Sequence, residues 1–483
     1  MADTPNPRLR LVDAALIVTS GMIGSGIFIV SAGMARDVGG PGMLLLLWAV
    51  SGFMTILAAL SYGELAGMFP HAGGQYIYLR EAYNPLIAFL YGWTLFLIVQ
   101  SGTIAAVAVA FAKFSGVLFP VFSEKNIVFS WVVSQDFTYT ISAAQLLGIF
   151  SIFVMTVINS RGIHYGKLIN RIFTSTKLIA LFGLLVFGIF FCANDTVWLE
   201  NISRFWETGG YRLTPTGTFQ WESVTGLALA SAFGVALVGS LFSSDAWNNV
   251  TFIAGDIQNP KRNLPLALMV GTITVTLLYL LVNVAYLHVL PFYGDPLADT
   301  AAGRGLMFAQ QDRVGTAAAT MMFGGTATLW MAMLIMISTF GCNNGIVLSS
   351  VRVYQTMAKD GLFFARMKEN NAAGEPAFAL WIQFFWASAL CLTGKYGDLL
   401  DYVMFSVILF YILTIAGIFI LRKKQPDTPR PYRAFGYPVL PALYIVLAVL
   451  FCLNLLWQKP MYSYPGLILV LLGIPVYFAW RRR

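Results

Sequence analysis

Charge is what this sequence has least of. Lysine, arginine, aspartate and glutamate make up 11% of its 483 residues, against about 25% in soluble domains. A water-facing shell cannot be built from so few charges, so a soluble globular protein is excluded. There are only three histidines, and the four cysteines (Cys192, Cys342, Cys391, Cys452) stand far apart with no CxxC pair. That pattern gives neither a metal site nor a disulfide framework, and no cofactor is expected. No small-residue cleavage site follows the first apolar run, so the first helix is expected to act as the insertion signal. The net charge of +8 would point to nucleic acid in a soluble chain. Here loop positions account for it, and no nucleic-acid partner is expected.

What is abundant is apolar sequence, 58% of the chain. Runs near the length needed to cross about 30 Å of hydrocarbon recur at 11–36, 41–68, 85–119, 142–160, 171–193, 221–255, 264–289, 314–358, 377–394, 399–421, 438–457 and 464–480. These twelve spans define an all-α polytopic membrane protein whose surroundings are the lipid bilayer. The third, sixth and eighth exceed a simple crossing and must tilt, break or protrude. Residues 291–313 form a long polar loop expected to hold short helices of its own. Twenty of the 30 lysines and arginines fall on the side that carries the N-terminus and nine on the other, with Lys177 inside span 5. That bias puts both termini in the cytoplasm.

Span 1 contains "TSGMIGSGIFIV", with Gly24-Ser25-Gly26 at mid-depth. Each glycine weakens a helix interior by roughly 0.8–1 kcal/mol relative to alanine. Span 6 contains Ser240-Leu241-Phe242-Ser243-Ser244-Asp245-Ala246, a carboxylate among small residues. Interrupted helices in corresponding positions of two halves mark transporter binding sites. With five spans per half, the second half is inverted. The expected organisation is a cytoplasmic N-terminus (1–10), a first five-helix repeat (11–193), a second inverted repeat (221–421), and a cytoplasmic linker with helices 11 and 12 (422–483).

A broken helix frees backbone groups that hydrocarbon cannot satisfy. The half-helix starting at Gly24–Gly26 offers N–H groups and the positive end of its dipole, which suit a carboxylate. Glycine allows close approach to the backbone. The half-helix ending at Phe242–Ala246 offers carbonyls and Asp245, which suit an ammonium. Together they describe an α-amino acid or related zwitterion. The alternative for the glycines is a helix-packing face. The dinucleotide fingerprint is not met, because the third glycine is missing.

These residues, with "FPHAGGQYIYLREAYNP", "FTSTKLIAL", "DAWNNVTFIAGDIQNPKRNLP" and "FGCNNGIVLSSVRVYQTMAKDGLF", resemble the amino acid–polyamine–organocation superfamily. Within it the chain is most similar to the L-type amino acid transporters, the light-subunit family and its prokaryotic homologues. The resemblance implies the leucine-transporter fold of two inverted five-helix repeats plus two helices. It puts the carboxylate-binding turn on Ile23, Gly24, Ser25, Gly26 and Ile27. The amino-group-binding turn falls on Phe242, Ser243, Ser244, Asp245 and Ala246, with Phe242 capping the substrate from outside. Asn248 matches a polar residue past the break. Lys177 matches a lysine standing where sodium-coupled relatives hold sodium, which implies sodium-independent exchange. Asp245 departs from the usual glycine or neutral residue, and Ser244 from a large aromatic. Members that accept cystine and dibasic amino acids carry Asp at the first of these positions. Animal light subunits join a heavy subunit through a cysteine after span 3. Residues 120–141 contain none, so no disulfide-linked partner is expected.

The expected function is an amino acid exchanger of the cell membrane that works by alternating access. A polyamine, amine or cationic amino acid antiporter, with or without proton coupling, is the alternative. Asp245 has three open roles: binding the α-ammonium, binding a cationic side chain, or carrying a coupling proton. A membrane acyltransferase would need a nucleophile or a His/Asp pair near one face, and no channel filter motif is present, so no enzyme activity is expected. Glu64 reads as a partner of the inner loops. Asn343-Asn344 read as pathway lining or helix–helix glue, His71 and His164 as solvated, and His288 as a weak pH-sensing candidate.

Overall fold

The structure, a computed structural model, describes residues 9–134, 137–214, 219–393 and 396–481. Most of the expected N-terminal segment 1–10 lies outside the described residues, as do Lys395, Arg482, Arg483 and the side chains of His164, Lys167, Arg171, Arg212 and Arg481.

Twelve spans follow in the expected order. Span 1 is Leu11–Met22, a break, a 3₁₀ turn Gly26–Phe28 and Val30–Val38. Span 2 is Pro41–Met68. Span 3 runs Pro85–Thr94, through a π turn Leu95–Val99, to Gln100–Leu118. Spans 4 and 5 are Ala143–Ser160 and Ile163–Val186, the latter extended by a π turn to Phe191. Span 6 is Gly226–Ser243, a break, and the 3₁₀ segment Trp247–Asp256. Span 7 is Pro260–Val289, span 9 Ala377–Thr393, span 10 Tyr396–Lys424, span 11 Val439–Gln458 and span 12 Pro460–Arg481. Among the described residues nine helices are long and apolar enough to cross a membrane. The other three are the interrupted span 1, the 17-residue span 9, and span 5, which passes only as Ser175–Phe191 taken together with Asp195–Ser203 across a 94° bend. The chain is a multi-pass membrane protein with a twelve-helix, leucine-transporter type of architecture.

Segment 314–358, read as one over-long span, divides at Gly324, whose φ of 82° ends one helix and begins the next. Val314–Phe323 therefore belongs to the loop between spans 7 and 8, packed against the 3₁₀ turn of span 1, and Gly325–Lys359 is span 8. Two antiparallel hairpins were not anticipated. β1 (Ile127–Ser134) pairs with β2 (Phe137–Ser142), and β3 (Gly209–Leu213) with β4 (Phe219–Ser223). Their β-branched and aromatic residues favour strands, but this signal is hard to separate from a mostly apolar background. The loop 291–313 carries its short helices, at Ala301–Arg304 and Gln310–Asp312.

Close packing rests on small residues. Span 7 runs along span 2, where a Cβ added at Gly52 would sit 2.2 Å from the Thr276 methyl. Span 7 also meets span 1, where a Cβ at Gly271 would sit 2.4 Å from Val18. Such contacts let backbones approach where lipid provides no hydrophobic drive. Asn343 Nδ2 donates to Ile104 O at 3.1 Å, and Asn344 Oδ1 accepts from Asn159 at 2.9 Å. The asparagine pair thus joins span 8 to spans 3 and 4 as helix–helix glue.

Glu64 is buried at the end of span 2. Its carboxylate accepts from Arg422 Nε at 3.0 Å and Nη2 at 2.7 Å, and from Ala434 N at 2.7 Å, and Arg430 lies 3.4 Å away. It ties span 2 to the end of span 10 and the linker beyond. Removing one partner of a buried pair typically costs about 3–5 kcal/mol. Glu64→Ala is therefore expected to lower the thermal midpoint in detergent by several degrees, and Glu64→Gln by less. An unchanged midpoint for Glu64→Ala would contradict this assignment.

Candidate functional site

The first half of span 1 ends at Met22 with carbonyls that a continuous helix would have satisfied. Thr19 O still accepts from Ile23 N at 3.0 Å. Beyond it, side chains take over. Lys177 of span 5, fully buried, donates from Nζ to Ser20 O at 2.5 Å and to Ile23 O at 3.0 Å. Cys342 of span 8 donates to Gly21 O at 3.3 Å. Tyr279 of span 7 places its hydroxyl 2.9 Å from Met22 O and 3.1 Å from Ser243 O, so one proton is shared between both breaks. Tyr286 Oη donates to Ile27 O at 3.3 Å.

The other half of the break keeps its donors. Phe28 N and Ile29 N bond back to Ser25 O and Gly26 O, while the N–H groups of Gly24, Gly26 and Ile27 meet no acceptor among the described residues. These are the groups that suit a carboxylate. Gly26 is also constrained by packing, since a Cβ there would lie 2.0 Å from Ser243 Oγ and 2.7 Å from its Cβ. A Cβ at Gly24 would lie 3.3 Å from Cys342 Sγ. Absence of a side chain at Gly26 thus serves contact with span 6 whatever else it serves.

Span 6 stops at Ser243. Ser244 N closes the helix onto Ser240 O and Leu241 O, and Asp245 N reaches Phe242 O at 3.1 Å. Ala246 then turns left-handed with φ 64°, a rare conformation for a residue with a side chain, and a 3₁₀ segment continues. Asp245 finds no cation among the described residues. Its Oδ1 accepts from Tyr411 Oη of span 10 at 2.6 Å. Asn248 donates to Gln75 Oε1 at 3.1 Å, and Gln75 Nε2 donates on to Thr414 Oγ1 at 2.9 Å and Phe410 O at 3.2 Å. Gln75 begins a short helix, Gln75–Ala82, between spans 2 and 3.

Gly24, Ser25, Gly26, Phe242, Ser243, Asp245, Ala246 and Cys342 line one small space of about 20 Å³. Of the sequence-predicted residues, Ile23, Ile27, Ser244 and Asn248 are buried around the breaks but do not line it. Lys177 stands behind span 1, on its carbonyls. A cavity of about 530 Å³ lies beyond, lined by Ile29, Val30 and Met34 of span 1, Val238 and Gly239 of span 6, and the charged Arg36, Lys113 and Asp401. That is within the size range of ligand pockets. The opposite side is closed. Leu9 pairs with the chain after span 6 through Asp256 O (3.0 Å) and Gln258 N (2.9 Å), and Arg80 meets Asp360 at 2.6 Å. His71 is exposed, and His288 stacks on Trp198 with centroids 4.0 Å apart, far in sequence from either break.

Sequence reasoning missed Tyr279, Cys342, Tyr411 and Gln75. Gln75 and Cys342 sit inside stretches that carry the family resemblance. The two tyrosines are ordinary aromatic residues in apolar helices, and only the fold brings their hydroxyls to the breaks.

A family model described as amino acid permease matches residues 9–477. The large neutral amino acids transporter small subunit 2 of Homo sapiens is 29% identical over 481 residues, covering 97% of this chain and 79% of that protein. The serine/threonine exchanger SteT of Bacillus subtilis (strain 168) is 27% identical, covering 98% of this chain and 97% of its own. The human b(0,+)-type amino acid transporter 1 is 26% identical, covering 97% and 87%.

The packing demand at Gly26 is separable from ligand approach. Gly26→Ala is expected to lower thermal stability, and Ser243→Gly in the same chain to restore part of it. Lack of any rescue would mean that Ser243 is not what excludes a side chain there. Tyr279→Phe is expected to lower the thermal midpoint, because two carbonyls in the membrane lose their shared donor.

Proposed function

We propose that this chain, which belongs to the amino acid permease family, exchanges L-amino acids across the cell membrane by alternating access. The observation that carries this reading is the pairing of two helix breaks around one space. Unmet N–H groups of Gly24 and Gly26 stand on one side, and the Asp245 carboxylate on the other. The substrate carboxylate binds the turn Ile23–Ile27, and its ammonium binds the turn Phe242–Ala246, with Asp245 as its counter-charge. Phe242 closes the site from the 530 Å³ vestibule, and Asn248 holds the far side of the break through Gln75. It is a transporter and not an enzyme. Its relatives, named as amino acid transporters and an exchanger, support the same reading.

Residues 11–193 and 221–421 act as the two inverted repeats, with both termini cytoplasmic. Exchange is sodium-independent because the Lys177 ammonium already occupies the carbonyls of Ser20 and Ile23. No cysteine lies in 120–141 to bond a heavy subunit, and the chain works without one. A second reading, a cationic amino acid or amine antiporter, is favoured by one observation: Asp245 has a neutral phenol rather than a cation as its partner.

Counterflow in proteoliposomes tests these points. Replacing sodium by choline is expected to leave exchange unchanged, and strict sodium dependence would sink the role given to Lys177. Lys177→Ala is expected to slow exchange more than it weakens binding, since the lysine holds the break rather than the ligand. Asp245→Asn is expected to abolish exchange of every amino acid. Selective loss of lysine, arginine and ornithine would favour the cationic reading, and retained exchange with lost pH dependence would make Asp245 a proton carrier.

A further inference from the structure

A second space meets the first at Thr103, Asp245 and Ala246. It lies toward the closed side, is also about 20 Å³, and is unusually rich in amides for a membrane interior. Gln75 is fully engaged at both ends of its side chain. Gln100 Nε2 donates to Asn249 Oδ1 at 3.1 Å. That leaves polar atoms without a partner among the described residues. The Tyr91 hydroxyl is buried with no hydrogen-bond partner, and the Gln100 and Asn248 carbonyl oxygens and the Asn249 amide nitrogen, whose side chains also line the chamber, make no side-chain hydrogen bond among the described residues. A buried donor or acceptor left unmet costs about 1–3 kcal/mol, so this chamber calls for a polar guest. Its size suits a group little larger than a water molecule.

Resting on the amino acid exchange reading, we propose that this chamber receives the substrate side chain and selects short, uncharged polar ones, hydroxyl or carboxamide. The unspent groups are mixed, two carbonyl acceptors with an amide and a phenol able to donate. A hydroxyl or carboxamide both donates and accepts and can meet both kinds. An ammonium or guanidinium only donates and leaves the Asn249 amide nitrogen unmet. An alkyl side chain meets none of them. Charge points the same way. Asp245, held by Tyr411, lies at the junction of the two spaces. Once it is matched by the α-ammonium, the chamber beyond contains no further charge, and a cationic side chain would enter uncompensated.

The test is a counterflow panel of serine, threonine, asparagine, alanine, leucine, phenylalanine, lysine and arginine in proteoliposomes, with thermal shift in detergent as a second readout. Serine, threonine or asparagine is expected to outcompete alanine and leucine by at least about tenfold, since a site built to hydrogen-bond a side chain rejects the analogue lacking it. Gln100→Leu and Asn249→Leu are expected to cut the serine-to-alanine preference at least fivefold. Tyr91→Phe, which removes one oxygen and no volume, should cut it by a smaller factor. Leucine, phenylalanine or lysine exchanging as well as serine overturns the proposal, as does an unchanged serine-to-alanine ratio in Gln100→Leu and Tyr91→Phe. Exchange of none of the eight overturns the transporter reading itself, an outcome distinct from exchange without polar preference.

Discussion

Everything at the centre of this protein depends on where the carbonyls of a broken helix find hydrogen bonds. Ser20, Gly21, Met22 and Ile23 end the first half of span 1 inside a membrane, where an unmet carbonyl costs several kcal/mol. The structure meets them with Lys177, Cys342 and Tyr279, from spans 5, 8 and 7. The break is therefore held by three other helices rather than by its own sequence. Any motion of span 1 must either carry these donors along or exchange them for others. Tyr279 adds a further coupling. Its single proton lies between Met22 O and Ser243 O, so the breaks of spans 1 and 6 share one donor and their movements are linked.

The two breaks also interlock sterically. A Cβ at Gly21 would stand 3.1 Å from Ala246 O, and one at Gly26 would overlap Ser243. Glycines that look like room for a ligand are, at these two positions, room for the opposite helix. Ala246 carries the corresponding strain, a left-handed alanine at φ 64°, which costs roughly 1 kcal/mol or more. Strain of this kind persists where surrounding contacts over-determine it. Here the contacts are Gly21 on one side and Asn249 N, bonded to Ala246 O at 3.2 Å, on the other.

Helix number, order and the positions of both breaks were legible because hydrophobic length and mid-membrane glycine or aspartate are one-dimensional signals. Lys177 was legible for the same reason: a lysine inside an apolar run demands a partner. The partner's identity was not legible, because it is set by how span 5 packs on span 1. Tyr279 and Tyr411 illustrate the limit. A tyrosine in an apolar helix reads as bulk, and its hydroxyl acquires meaning only from a neighbour more than 30 residues away. The hairpins were hidden for a different reason. In a chain this apolar, strand-forming residues such as Val128, Phe129 and Trp131 differ little from the background.

The charge balance of the site argues for the kind of molecule it holds. Two side chains of opposite charge are buried beside the breaks, and neither has a charged partner among the described residues. Lys177 is met by carbonyls and Asp245 by a phenol. Together they sum to zero. A sodium ion or a simple amine would add a net charge to a region of low dielectric, where an uncompensated charge is costly. A zwitterion adds none, and in the proposed reading each of its ends would face a group of the opposite sign: its carboxylate the N–H groups of Gly24, Gly26 and Ile27, its ammonium Asp245. Neutrality is thereby kept in the loaded and the unloaded site alike, which lets both cross between the two sides of the membrane at similar electrostatic cost.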